Sequence, residues 1–266
     1  MSARREGVVE HAVYRPRQES RRSLWRRPGW PGLILLGLIL ALMAGGAVYG
    51  LRSETFAVTR ISTGSYRFTA GQDLDRILGS FLGRNLWTLS ATEVADSLAT
   101  LAWIRDPRIE RQWPGDLVVE FRECRPVLSL EEEAPGGGTR VLVDDGCVLP
   151  FPGHLPMPGL PVLVGVSCVR DSVSGREKLD PAWAPQVMEL LTALAQTGLE
   201  TVAPVDFLVA REEGFAILLR EGWGSLQVGR EDFAARLDRY MAARENLEPG
   251  LRMDLRFRER IVCSRN

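Results

Sequence analysis

From Leu33 to Leu51 the chain reads LILLGLILALMAGGAVYGL, 19 residues without a charged side chain. At the rise of an α-helix that stretch covers about 28 Å, close to the ~30 Å hydrocarbon core of a bilayer. A core helix of a globular domain hides one stripe, whereas this segment is apolar all round, and a membrane span over 31–51 follows. Beyond it the pattern becomes that of a folded α+β domain. Phe56-Ala-Val58-Thr-Arg-Ile61 alternates as a strand and runs into the Gly64-Ser65 turn. Leu74, Ile77, Leu78, Phe81 and Leu82 fall on one helical face, opened by a capping box at Thr69-x-x-Gln72 and stopped at Gly83. A second box, Ser90-x-x-Glu93, opens a helix carrying Val94, Leu98 and Leu101. Arg108–Trp113 and Leu117–Phe121 then read as strands divided by Pro114-Gly115, which makes a two-layer β-α-α-β-β unit.

The following stretch is richer in strands. Val141–Val148 reads as a hairpin through Asp145-Gly146, with a Pro-rich stretch leading to Leu160–Gly165. A helix is expected over Pro181–Thr197, with Val187, Leu190, Leu191 and Leu194 apolar and Gly198 as its stop. Strands follow at Val205–Val209, Phe215–Leu219 and Ser225–Val228. A helix then starts at Glu231-Asp232 and carries Arg236, Arg239 and Arg244 in its later turns, as the helix dipole favours. Met253–Phe257 and Ile261-Val262 read as terminal strands.

Charge sharpens the membrane reading. The chain has 33 basic and 34 acidic residues. Yet residues 1–30 hold eight Arg and three Glu, a net of +5, leaving −6 for the rest. The positive-inside rule places this basic tail in the cytoplasm and residues 52–266 outside, as a single-pass type II protein. Trp25, Trp30 and Tyr49 sit where aromatic rings favour the interface. A cleavable signal peptide is the competing reading, with Ala44–Ala47 as the cleavage site. The 30-residue tail and 19-residue span exceed its usual dimensions and favour an uncleaved anchor. The near-neutral total argues against a nucleic-acid partner.

Candidate chemistry is sparse. Cys124, Cys147, Cys168 and Cys263 form no CxxC pair, so zinc and thioredoxin chemistry are not expected. All four lie on the outer side, where a disulfide is permitted, and four separate thiols are the alternative. Cys168, in a Ser/Asp-rich stretch, is the one least suited to a core. His154 and His11 are the two histidines, and the sequence has no G-x-S-x-G elbow for a triad around His154. Asp144-Asp145 is explained by the turn before Gly146. Gly222-x-Gly224 with Gly229 lacks the βαβ context of a dinucleotide loop. Glu131–Glu133 before Pro135–Gly138 reads as a solvated loop. No catalytic, metal, cofactor or small-molecule site is expected. Interaction surface is. A chain ending in a strand presents an edge, and Arg256, Phe257, Arg258, Glu259 and Arg260 put charges and an aromatic there. On physical grounds a guard against aggregation and a docking edge are equally good readings.

A resemblance decides between them. Phe56-x-Val58-x-x-Ile61, Gly83-x-Asn85-Leu86, Leu101-Ala-Trp103-Ile104, Arg111-x-Trp113-Pro114-x-x-Leu117 and Glu123-x-Arg125-Pro126-Val127 together resemble the POTRA domain of the FtsQ/DivIB family of bacterial cell-division proteins. Val-Asp-Asp-Gly at 143–146, Leu-Pro-Val-Leu-Val-Gly at 160–165 and Asp254-Leu-Arg-Phe257 are similar to that family's β domain. The resemblance implies a basic cytoplasmic tail at 1–30, a transmembrane helix at 31–51, a POTRA domain at 54–127, a mostly antiparallel β domain with two flanking helices at 128–263, and a short end at 264–266. It implies a non-enzymatic divisome scaffold of the inner membrane, located at the division septum and linked to septal peptidoglycan synthesis. FtsB/FtsL-like proteins would join the terminal strand through Leu255, Arg256, Phe257, Arg258, Glu259, Arg260 and Ile261. FtsK-like and other division proteins would face the POTRA unit, whose motif residues are Arg111, Trp113, Pro114, Glu123 and Pro126. Phe257 stands where that family has a Tyr, and the polar-glycine step and Trp expected after it are absent. Two other classes remain as alternatives, a POTRA-bearing transport or assembly factor and a membrane-anchored envelope enzyme or ligand-binding module.

Overall fold

A computed structural model describes residues 30–131, 138–172 and 175–265; the basic tail and most of the Glu131–Glu133 and Pro135–Gly138 stretch lie outside the described residues. The chain divides into two compact units, 1–52 and 53–266. Among its described residues the first contains the helix α1 (Trp30–Arg52), with no buried residue. Its 23 residues extend about 35 Å, enough to cross a bilayer.

The second unit opens with a 3₁₀ turn at Glu54–Phe56, capped by Ser53 Oγ, which accepts the Thr55 N–H at 3.2 Å. This local cap delays the strand expected from Phe56, and β1 spans Arg60–Thr63 instead. Helices α2 (Gly71–Gly79) and α3 (Ala91–Ala99) follow, then β2 (Ile104–Gln112) and β3 (Asp116–Glu123). The sheet order is β1-β3-β2, with β1 parallel and β2 antiparallel to β3. Leu74, Leu78, Phe81, Val94, Leu98, Leu117 and Val119 close a core between helices and sheet. Each fully buried aliphatic side chain of this kind contributes roughly 1.5–3 kcal/mol. Leu82, expected on the apolar stripe, is exposed, because the helix ends at Gly79 before its turn is reached. Ser90 caps α3 as expected, its Oγ accepting the Glu93 N–H at 3.3 Å. The box at Thr69 does not form. Ala70 is the cap of α2, and the Thr69 hydroxyl donates to Glu123 at 2.6 Å instead.

The remaining strands are β4 (Pro126–Leu130), β5 (Arg140–Val143), β6 (Cys147–Pro150), β7 (Val162–Val164), β8 (Cys168–Arg170) and β9 (Glu177–Leu179). After helices α4 (Ala184–Thr197) and α5 (Leu199–Val202) come β10 (Val205–Arg211), β11 (Gly214–Leu219) and β12 (Ser225–Gly229). Helix α6 (Phe233–Ala243), β13 (Arg252–Asp254) and β14 (Val262–Ser264) complete the chain. Together these strands form one 11-stranded sheet ordered β14-β13-β12-β11-β10-β7-β4-β5-β6-β9-β8. It is antiparallel except where β7 meets β4 and β10 and where β12 meets β13. The molecule is a mixed α+β protein with an apolar N-terminal helix, a three-stranded α+β unit and a large β sheet.

Period-2 alternation divides the sheet's two faces. Leu142 and Val148 join the main core under α4 and α6, while Val141, Val143, Cys147 and Leu149 join a second cluster. That cluster includes Trp103 of the three-stranded unit, with Phe68 packed against it and stacked on Trp103 at 4.9 Å. Gly198 ends α4 in the left-handed region at φ 65°, and its N–H reaches Leu194 O at 3.2 Å.

Candidate partner-binding edge

Three consecutive elements build one border of the large sheet. β12 pairs in parallel with β13, β13 pairs antiparallel with β14, and β14 has no further strand beside it among the described residues. Val262, Cys263 and Ser264 are all exposed. A short strand with one unpaired side can accept another chain.

The run Leu255–Ile261 does not continue a terminal strand as the sequence reading expects; it forms the loop joining β13 to β14. The reason is local. The Asp254 carboxylate accepts the Arg256 N–H at 3.0 Å, an Asx-type turn that draws the chain out of the ladder. Arg256 then folds back, with Nε 2.9 Å from Asp254 Oδ1, Nη2 2.6 Å from Oδ2, and Nη1 3.2 Å from Glu213 Oε2. Hydrogen bonding from Arg256 holds the Asp254 carboxyl below its usual range and raises the guanidinium in turn. From α6, Arg239 Nη2 donates to Leu255 O at 2.9 Å and Nη1 donates to Arg258 O. Arg236 donates to Val228 O at 2.6 Å. These two arginines hold backbone carbonyls of the strand and loop, where the helix dipole suggested a looser role.

Within the loop, Leu255 is fully buried and Ile261 packs partly against the core. Arg256, Phe257, Arg258, Glu259 and Arg260 face outward. Phe257 is 42% exposed, with the Arg260 guanidinium 5.0 Å from its ring centroid. The loop thus presents an aromatic ring and charges beside an open edge, on a base that Arg239 secures.

The POTRA motif residues have structural partners. Arg111 donates to Leu89 O at 2.6 Å, tying the β2 end to the loop before α3. Trp113-Pro114 turns β2 into β3, and Pro126 opens β4 opposite Val143. Glu123 accepts the N–H groups of Arg67 at 2.6 Å, Phe68 at 3.0 Å and Thr69 at 2.7 Å, besides the Thr69 hydroxyl. Burial alone would push its carboxyl up, but these hydrogen bonds outweigh it and hold the group below the ordinary range. The Thr69–Glu123 link escapes sequence reading because the partners stand 54 residues apart, and nothing local marks the pair.

Among the described residues no cluster of three or more His, Cys, Asp or Glu side chains gathers as a metal site. Asp145 Oδ1 accepts the Cys147 N–H at 2.8 Å within the turn and its carboxylate pairs with Arg105, whereas Asp144 Oδ1 accepts the Arg125 N–H at 3.3 Å just before β4. The cleft beside them is lined by Arg105, Arg122 and Arg125 facing Asp106, Glu123 and Asp144; Arg122 is paired with Asp106. His154 lies exposed in a loop. All four cysteines are free thiols: Cys124 and Cys147 are buried, Cys168 is half-buried and Cys263 is exposed. The most exposed thiol is therefore Cys263 on the edge strand, not Cys168. Burial pushes the Cys124 thiol up, making it a poor nucleophile.

Residues 56–123, which span the 3₁₀ turn to the end of β3, match the POTRA domain of FtsQ type. The chain therefore carries a POTRA domain of FtsQ type. The likeness continues through the large sheet. The cell-division protein FtsQ of Rhodothermus marinus is 29% identical over 216 residues, covering 79% of this chain and 75% of that protein. FtsQ of Myxococcus fulvus is 26% identical over 241 residues, covering 86% and 81%. FtsQ of Shewanella oneidensis is 25% identical over 246 residues, covering 86% and 83%. Most of the chain is thus similar to cell-division proteins named FtsQ, and its N-terminal helix α1 is long and apolar enough to cross a membrane.

Proposed function

We propose that this FtsQ-type protein is a non-enzymatic divisome scaffold whose β14 edge receives an FtsB/FtsL-like partner by strand addition. The observation that carries the reading is the open edge at Val262–Ser264, flanked by the Phe257–Arg260 pair. Strand addition would supply affinity through backbone hydrogen bonds, and the loop 255–261 would supply specificity through its ring and charges. The span 31–51 would hold the protein in the inner membrane with its N-terminus cytoplasmic. The POTRA domain at 54–127 would face FtsK-like and other division proteins, and the β domain at 128–263 would link septal peptidoglycan synthesis to the division site.

Co-purification of the full-length protein from native membranes tests this. Wild type should recover an FtsB/FtsL-like partner. Phe257→Ala should lose most of it while keeping the wild-type melting temperature, because the ring is half-exposed. Val262→Pro and Cys263→Pro, made singly, remove successive edge N–H groups, and one of them should abolish recovery. Recovery of no such partner by wild type, or equal recovery by all variants, would sink the proposal.

A further inference from the structure

Three aromatic rings from distant parts of the POTRA unit meet at one corner of it. Phe56 lies at the end of the 3₁₀ turn, Trp87 in the loop before α3, and Trp113 in the β2–β3 turn. Their centroids are 6.0 Å apart for Phe56–Trp87, 5.8 Å for Phe56–Trp113 and 4.9 Å for Trp87–Trp113. Rings that cluster to fill a core are covered, yet Trp87 is 58% and Trp113 51% exposed. None belongs to the hydrophobic core clusters.

The cluster is rigidly mounted. Phe56 O accepts the Leu86 N–H at 2.7 Å, and Val58 exchanges hydrogen bonds with the same loop, to Arg84 O and from the Gly83 N–H, both at 2.9 Å. On the other side the Thr59 N–H donates to Gly115 O at 2.8 Å. Gly115 is required there, since a Cβ would stand 2.6 Å from Ala57 O. The two loops bearing tryptophan therefore grip the segment that leaves the membrane helix.

We propose that Phe56, Trp87 and Trp113 form an aromatic foot that seats the POTRA unit in the lipid headgroup layer where the span emerges. The inference rests on α1 being an uncleaved span. Phe56 follows Arg52 by four residues, which reach at most about 14 Å even when extended. The headgroup layer is about 5–8 Å deep on each face, so the tether keeps Phe56 close to it. Tryptophan is the side chain that prefers this zone, with an apolar ring and an N–H donor. Arg52, Glu54 and Arg60 leave the connecting segment with one net positive charge, suited to anionic lipid. The occupant is thus lipid, and a protein partner is the competing outcome.

The test uses the full chain in nanodiscs of phosphatidylcholine and phosphatidylglycerol, with and without bromine on the acyl carbons nearest the headgroup. Wild type is compared with Trp87→Phe/Trp113→Phe, which keeps aromatic rings and should keep the wild-type melting temperature. Bromine should remove more emission from wild type than from the double variant, the difference being the share of two among 7 tryptophans. Equal absolute losses in the two proteins would overturn the foot and leave the corner to a protein partner. Carbonate extraction of the cell membranes before reconstitution separates this from failure of the anchor: both proteins should stay in the membrane pellet, and release of both would overturn the span itself.

Discussion

Replacing Glu123 by Ala should loosen the junction between the POTRA unit and the large sheet. Its carboxylate ends β3 and gathers the backbone of Arg67, Phe68 and Thr69, with the Thr69 hydroxyl at 2.6 Å. Hydrogen bonds to a charged acceptor contribute about 1.5–3 kcal/mol each. The Arg67 N–H is exposed and can turn to water, so the loss concentrates on Thr69, which is 4% exposed. Two bonds there, partly relaxed, give a destabilisation of about 2–4 kcal/mol. For a domain of this size that lowers the melting temperature by about 5–15 °C. Heat unfolding of the full chain in detergent micelles, followed by near-ultraviolet circular dichroism, reads it directly, because Phe68 stacks on Trp103. Glu123→Gln keeps one acceptor and should fall between the two. The pH dependence has a fixed sign. The folded carboxyl is held below its unfolded value of about 4.3, so its stabilisation is full above that pH and is lost as pH falls through the folded value. The gap between wild type and Glu123→Ala should therefore be complete at neutral pH and shrink in acid. A neutral-pH gap below about 0.5 kcal/mol, or one that widens on acidification, would refute the anchoring role.

Arg239→Met keeps the apolar stem but removes the bonds to Leu255 O and Arg258 O. Amide exchange in 255–261 should accelerate while the POTRA unit is unchanged, with a loss of about 1–3 kcal/mol in overall stability. Gly115→Ala forces a Cβ against Ala57 O and should cost about 1–3 kcal/mol, measured by urea unfolding of the full chain in the same micelles.

The order of elements was legible wherever one face of a helix or strand is buried. Leu117 and Val119 alternate into the core, and Val187, Leu190 and Leu194 mark the buried side of α4. Gly198 and Asp145-Gly146 announced a stop and a turn because the backbone there needs a positive φ, at Gly198 and Gly146 respectively. What escaped depends on partners far away in the chain. Thr69 had the spacing of a helix cap, yet a carboxylate 54 residues onward offered its hydroxyl a stronger acceptor. At the far end, alternation through Met253–Phe257 suggested a continuous strand, and one Asx turn at Asp254 broke it. The run 255–261, expected on a terminal strand, therefore lies on a loop beside the edge strand. The aromatic corner had no periodic signature, since its three rings come from three separate turns.

The parallel pairing of β1 with β3 has a mechanical consequence. Tension transmitted from the membrane helix enters the POTRA unit at Ser53 and pulls β1 by its N-terminal end. Tension from the large sheet pulls β3 by its C-terminal end, at Glu123. With Arg60 opposite Asp116 and Thr63 opposite Val119, those ends lie at opposite extremities of the paired strands. The two strands are thus loaded in shear, and their hydrogen bonds bear the force together instead of unzipping one by one. A domain wired in this way keeps its shape under tension applied along the chain.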